Sequence, residues 1–243
     1  MRPYATAQQI GTRDVQCDAA AIRTAPSRNA RAYVVLDGIG DTPSVRAWVK
    51  TTAAQLAYAA ARRADPEAGL RTLHHRIAAQ RAARNPDVYS AAAIVAVTAP
   101  SRPLAIAWAG DCRAYLITPD GQAQQLTQDH NLRRVNGGNR NKITCYLGST
   151  RTDQELMDWF NHPAVESLTL PDAHGRLLLA SDGAYEPHED ARGALAAELG
   201  GDLTQAVRRF TTTAVERSAA VTRALDPNRV HADNATALLA DLP

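Results

Sequence analysis

Residues 31–37, RAYVVLD, are almost unbroken in apolar character until the acid, and the run stops at Asp37-Gly38. That pattern predicts a buried strand over 31–37. At Pro43 the period changes. Val45, Trp48, Val49, Ala53, Leu56 and Ala60 recur at helical spacing, which predicts a helix over 43–64 with proline in its first turn. Asp65-Pro66 breaks it, and Leu70, Leu73, Ile77 and Ala78 predict a second helix ending near Arg84. Strands are expected over 91–99, 104–110 and 115–118, with Asp120-Gly121 as a hairpin turn. The polar stretch NLRRVNGGNRNK (131–142) reads as a loop, and RLLLASDG (176–183) as a strand that ends, like the first, on Asp-Gly. Helices over 191–199 and 203–224 and a strand over 234–242 complete the chain. Strands in blocks separated by helix pairs imply an α+β fold: a central sandwich of two antiparallel β-sheets flanked by pairs of α-helices, in α-β-β-α layers. No repeat or linker divides residues 1–243, so one domain is expected.

Composition narrows the function classes. Aromatics are 5% of the chain, so a core must be made of Ala, Val, Leu and Ile. A net charge of +2 on 27 basic and 25 acidic residues argues against nucleic acid held on a broad basic face. Cys17, Cys112 and Cys145 have neither a C-x-x-C spacing nor an even count, so neither a disulfide framework nor a zinc cluster is expected. The first residues lack the apolar run of a signal peptide, and no stretch approaches the ~18 apolar residues of a membrane span. A cytoplasmic protein without a membrane partner is the expectation.

The acids at the strand ends carry the chemistry. An Asp-Gly pair alone is ordinarily a turn. Here, though, Asp37 and Asp182 stand at the carboxyl ends of expected strands, while Asp111 and Asp233 stand at the amino ends of others. In antiparallel sheets one strand's end neighbours the next one's start, so all four carboxylates can meet at one edge. Gathered like charges repel unless a cation joins them, and hard oxygen donors suit Mg²⁺ or Mn²⁺.

The same residues lie in motifs that resemble the protein phosphatase 2C family of metal-dependent serine/threonine phosphatases. In order along the chain these are GTRDVQCDA (11–19), VLDGIGD (35–41), AGDCRAYL (109–116), LTQDHN (126–131), NKITCYLG (141–148), LLLASDGAYE (177–186) and DNATALL (233–239). The resemblance implies a phosphoprotein phosphatase of bacterial type, in which a metal-bridging water or hydroxide attacks phosphoserine or phosphothreonine. It implies two Mn²⁺ or Mg²⁺ ions, with a third in bacterial members. Asp37 would bridge both metals, the Gly38 carbonyl would hold the second, and Asp182 and Asp233 would complete the first. Asp111 with Asp182 would hold the third. Arg13 matches the arginine that grips phosphate, Asp18 an acid near metal-bound water, and Asn234 the residue beside the last ligand.

Several positions depart from the family pattern. Cys17 stands where Glu is usual, and Asp41 replaces the last glycine of D-G-x-G-G. The flap is reduced to NLRRVNGGNRNK, and Ile39 occupies the place of a histidine carried by eukaryotic members. These departures support a rival, a pseudophosphatase that binds partners on the same scaffold. A haloacid-dehalogenase-like phosphatase with Asp37 as nucleophile would need an acid at Ile39 and is set aside. His74-His75 cannot share a helix face and is not expected to bind metal. His130 is expected to be structural, and Asp14 and Asp129 to be turn or solvent acids.

Overall fold

The structure is a computed structural model and describes residues 3–192 and 195–242. Its strands are β1 (Tyr4–Gln9), β2 (Ala19–Ala25), β3 (Ala30–Gly38), β4 (Ala91–Thr98), β5 (Leu104–Ala109), β6 (Arg113–Ile117), β7 (Ala123–Gln125), β8 (Glu166–Leu170), β9 (Arg176–Ala180) and β10 (Ala235–Asp241). The helices are α1 (Pro43–Arg63), α2 (Pro66–Ala82), α3 (Leu132–Asn136), α4 (Asp153–Phe160), α5 (Asp182–Asp190) and α6 (Leu203–Leu225). Two five-stranded sheets form, in the orders β1-β10-β9-β6-β7 and β2-β3-β4-β5-β8. Every pairing in them is antiparallel.

Strand β3 shows why the layers stack. Its alternate residues Ala32, Val34 and Leu36 face α1 and α2. Tyr33 and Val35 face the opposite sheet, where they meet Leu177, Leu179 and Leu238. On the far side Leu178 and Ala180 of β9 and Ala237 and Leu239 of β10 pack against Phe210 and Val207 of α6. Strands covered on both faces read as continuous apolar runs, which is why these were legible as strands. The expected sandwich, flanked on each side by helices, is therefore the fold.

Helix starts follow local chemistry. The Thr42 hydroxyl accepts from the Val45 N–H at 3.3 Å with Pro43 in the first turn, and the Asp65 carboxylate accepts from the Ala68 N–H at 3.0 Å with Pro66 following it. Both are N-caps on a proline-opened helix.

Four readings need correction. Residues 132–136 form the short helix α3, capped by Asn131 and ended by Gly137 at φ 72°, where a loop was expected. The strand expected over 176–183 stops at Ala180, and Asp182-Gly183 begins α5 instead of closing a turn. Of the helix expected over 191–199, Gly193 and Ala194 lie outside the described residues, and Leu195–Leu199 is a 3-10 turn. Strands β1, β2, β7 and β8 and helix α4 were not anticipated. The first pairs with β10, more than two hundred residues away in sequence, and no local pattern encodes that partner.

Candidate active site

The sheet register brings the acids together. Gly38, the last residue of β3, is paired with Ala91, the first of β4, and Ala19, the first of β2, is paired with Leu36. In the other sheet Ala180, the last of β9, faces Arg113 of β6 and Ala237 of β10. Asp18, Asp37, Asp111, Asp182 and Asp233 thus all sit at one end of the sandwich. Two glycines permit the approach of the backbones. A Cβ on Gly38 would stand 2.5 Å from the Cys17 carbonyl oxygen, and one on Gly183 would stand 2.2 Å from that of Asn234.

The carboxylates act on one another as a desolvated group of like charges. Asp18 is buried, and burial pushes its carboxyl up to about 7 even though the Ser181 hydroxyl donates to its Oδ2 at 2.9 Å. Its Oδ1 has no partner. Burial, then the fields of Asp18, Asp182 and Asp111, hold Asp37 well above the usual carboxylate range, and Asp37 shares a hydrogen bond with Asp182. Asp111 is raised likewise by burial, Asp182 and Asp129. Burial, and after it the field of Asp233, raises Asp182, although the bond with Asp37 works the other way. Among the described residues no three His, Cys, Asp or Glu side chains stand as a preformed metal-ligand set. What is present is a convergence of backbone positions, with carboxyl groups close enough to share a proton.

A cation fits this donor set. All the donors are hard oxygens, their mutual repulsion would be relieved by positive charge, and one buried carboxylate oxygen lacks any partner. An anion fits beside it. The Arg13 Nη2 donates to Asp233 Oδ2 at 2.7 Å, while the buried Nε has no acceptor. Burial disfavours the Arg13 charge, but Asp233, Asp41 and Asp37 together outweigh it and raise its pKa.

The departures have defined places. Cys17 is in the core under α1 with Val45 and Val49; its thiol points to the Thr42 carbonyl at 3.7 Å, and burial pushes its pKa up. Asp41 accepts from the Val15 N–H at 2.9 Å, tying the segment that carries Arg13 to the β3–α1 turn. Asn234 accepts from the Cys17 N–H at 2.7 Å and donates to the Ile10 carbonyl at 2.9 Å, tying the same segment to the start of β10. Ile39 is exposed at the rim beside Asp37.

Asp14 is exposed, as expected, but Asp129 is not a solvent acid. It is buried and grips Arg113 through two bonds of 2.7 and 2.8 Å. Arg113 also donates to Glu189 at 2.8 Å and lies 4.1 Å from the Tyr185 ring centroid, and the Tyr185 hydroxyl donates to the Asp111 carbonyl at 3.0 Å. The motif residue beyond Asp111 therefore supports the site from beneath. His130 is structural, stacked on His162 at 4.0 Å and bonded to Glu166 at 2.9 Å. His74 accepts from the Gly148 N–H at 3.2 Å, and burial lowers its pKa to about 4.

Two residues were missed. Glu186 lies one helical turn beyond Asp182 on α5, and burial, then Asp182, pushes its carboxyl up to about 7. Arg140, in the shortened flap, pairs with Glu186 at 2.9 Å and with Asp190 at 2.5 Å. The i,i+4 spacing of Asp182 and Glu186 was available as a signal once α5 was known to be a helix.

A family model described as Protein phosphatase 2C matches residues 27–140. That span includes Asp37, Gly38 and Asp111; Arg13, Asp18, Asp182, Asp233 and Asn234 lie outside it. No curated protein matches the chain. Solved structures of the same fold cover nearly the whole of it. PppA of Pseudomonas aeruginosa, described as a key regulatory component of T6SS, is 20% identical, with 98% of this chain and 96% of that one covered and a TM-score of 0.72. The serine/threonine phosphatase Stp1 of Staphylococcus aureus is 19% identical over 100% and 96%, with a TM-score of 0.74. The Mycobacterium tuberculosis serine/threonine phosphatase PstP/Ppp is 22% identical over 99% and 98%, with a TM-score of 0.68. The resemblance to protein phosphatase 2C holds, and the fold is that of these bacterial phosphatases. No helix among the described residues is long and apolar enough to cross a membrane.

Proposed function

We propose that this protein phosphatase 2C relative is a metal-dependent phosphatase acting, as one domain, on phosphoserine and phosphothreonine of proteins in the cytoplasm. The observation that carries the reading is the pairing of a repelling acid cluster with a partly exposed arginine held beside it by Asp233. One part of that pairing wants cations and the other wants an anion.

Asp37, Asp182, Asp233 and the Gly38 carbonyl would hold two Mn²⁺ or Mg²⁺ ions, and Asp111 with Asp182 a third. Such ions, when bound, lower the pKa of water and neutralise charge developing on a phosphoryl group. The remaining work belongs to the chain. Arg13 presents a planar guanidinium whose donors match two phosphate oxygens, and its Nη2 is already held by Asp233. Asp41 and Asn234 hold the segment on which Arg13 rides, so the guanidinium is positioned before substrate arrives. Asp18, within the fields of Asp182 and Asp233, keeps one oxygen unpaired that could orient water. Ile39 offers no proton at the rim, so the leaving alkoxide takes its proton from solvent.

A binding-only role would leave this cluster without a use. The deciding experiment is hydrolysis of p-nitrophenyl phosphate by purified protein with Mn²⁺, with Mg²⁺ and with EDTA. Hydrolysis that needs added metal supports the reading; full activity after exhaustive EDTA treatment overturns it.

A further inference from the structure

Strand β5 ends at Ala109, and the chain turns through Gly110 to reach Asp111. Gly110 has φ 115°, and a Cβ there would stand 2.5 Å from the Ala92 Cβ, so the turn needs glycine. A residue with that freedom must be held by its neighbours if Asp111 is to keep one direction. His130 holds it on both sides. Its backbone N–H donates to the Gly110 carbonyl at 3.0 Å, and its Nδ1 accepts from the Gly110 N–H at 3.3 Å.

That second bond fixes the proton of the imidazole. Nδ1 must present a lone pair, so the proton is assigned to Nε2, which donates to Glu166 Oε2 at 2.9 Å. Glu166 in turn accepts from both Nη atoms of Arg134 on α3, with Nη2 at 3.0 Å from Oε1. Burial works to raise the Glu166 carboxyl, but the bonds from His130 and Arg134 outweigh it and bring it down to about 2. Burial lowers His130. The carboxylate is therefore charged and the imidazole neutral, in the tautomer that Gly110 requires. The stacked His162 ring keeps its own nitrogens on Thr144 and Pro163 and does not compete for Gly110. A histidine that only filled the core could satisfy its acceptor anywhere; this one, fully buried, directs it to the residue beside a site acid.

We propose that His130 is a positioning residue for the candidate cation site: with its tautomer set by Glu166, its Nδ1 holds Gly110 and thereby directs the Asp111 carboxylate toward the cation that Asp111 and Asp182 would share. The inference rests on the metal-dependent reading above and adds to it a residue that touches neither metal nor substrate. Losing a partner that orients a ligand typically alters metal affinity by about 10–100-fold.

The test separates the two ring nitrogens. Asparagine places an oxygen near the position of Nδ1 and glutamine an amide near that of Nε2. His130→Asn thus keeps an acceptor for Gly110, and His130→Gln keeps a donor for Glu166. Mn²⁺ binding is followed by calorimetry, and the binding event that Asp111→Asn removes is the one compared. His130→Gln should weaken that event by about tenfold, while His130→Asn stays nearer the wild type. In the Asp111→Asn protein, adding His130→Gln should change Mn²⁺ binding no further. Imidazole nitrogen chemical shifts of the wild type should show the neutral Nε2–H tautomer. If both His130 variants melt far below the wild type in EDTA, Glu166→Gln and Glu166→Ala carry the test. Gln still accepts from Nε2 and should preserve Mn²⁺ binding, whereas Ala should weaken it. Four results overturn the proposal: an Asp111→Asn protein that loses no Mn²⁺, undiminished affinity in His130→Gln, equal losses in the Gln and Asn variants, or an Nδ1–H tautomer. A wild type that binds no Mn²⁺ and hydrolyses no p-nitrophenyl phosphate overturns the phosphatase reading and the proposal together, whereas those four leave that reading standing.

Discussion

Arg13 and Asp233 hold each other across 2.7 Å, so the candidate phosphate grip and a candidate metal ligand form one ion pair at the mouth of the site. Both side chains are partly exposed, and a pair of that kind adds little to stability. Its value lies in pre-setting the guanidinium. Arg13→Ala is expected to raise KM for p-nitrophenyl phosphate about tenfold, roughly 1.4 kcal/mol, with a smaller fall in kcat. Arg13→Lys should recover only part of this, since an ammonium cannot match two phosphate oxygens at once. Steady-state kinetics decide, and a loss confined to kcat would argue against the role.

Asp37→Asn and Asp182→Asn are each expected to lower kcat by about 10²-fold or more, which is roughly 2.7 kcal/mol of barrier. Their folds should be intact, because each removes one member of a mutually repelling group. Circular dichroism and melting in EDTA check this second half: melting temperatures at or above wild type are expected. Near-native rates in both variants would move the site elsewhere.

Asp18 gives a pH signature. Its folded carboxyl titrates near 7, above its unfolded value near 3.8, so the folded state binds the extra proton. The corresponding stability is fully present below about pH 4 and is lost as pH rises through about 7. In EDTA the wild type should therefore melt at a lower temperature at pH 7.5 than at pH 5, and Asp18→Asn should shrink that difference. Mn²⁺ should raise melting most at the higher pH, where the acids are ionised. A variant with the same pH slope as the wild type would show that Asp18 is not its source.

The buried Arg113–Asp129 pair predicts a large structural effect away from the catalytic rim. Arg113→Leu strands Asp129 without its two charged bonds and should cost about 3–5 kcal/mol in urea unfolding. Arg113→Leu combined with Asp129→Leu should cost less than the single change, because no charge is then left buried alone. A single variant within 1 kcal/mol, roughly the worth of a surface pair, would show that the network carries little.

At Cys17 the thiol packs among Val45 and Val49. Cys17→Glu places an ionisable group in that layer and should lower stability by about 2 kcal/mol or more. The half-saturating Mn²⁺ concentration, followed by calorimetry, should stay near the wild-type value. A Glu variant that binds Mn²⁺ more tightly would mean that the side chain reaches the acids after all.

What could be read from the chain alone was set by local and periodic physics. The strand through Tyr33–Leu36, the helix opened by Thr42 and Pro43, and the long α6 each declare themselves because a buried face leaves its spacing in the sequence. The acids at the strand ends were legible for a related reason: an antiparallel sheet turns end and start into neighbours, so Asp37, Asp111, Asp182 and Asp233 could be gathered on paper. The tertiary structure decided everything that depends on which distant segments touch. Strand β1 (YATAQQ) is too polar to announce itself, and only pairing with β10 makes it a strand. Asp129 looked like a loop acid until the fold buried it against Arg113, and Glu186 had no visible relation to Asp182 until both were on one helix. The exposure of Val221 and Leu225 was equally out of reach. Their spacing is that of a core face, and only the point where the sheet ends makes the same spacing an open surface.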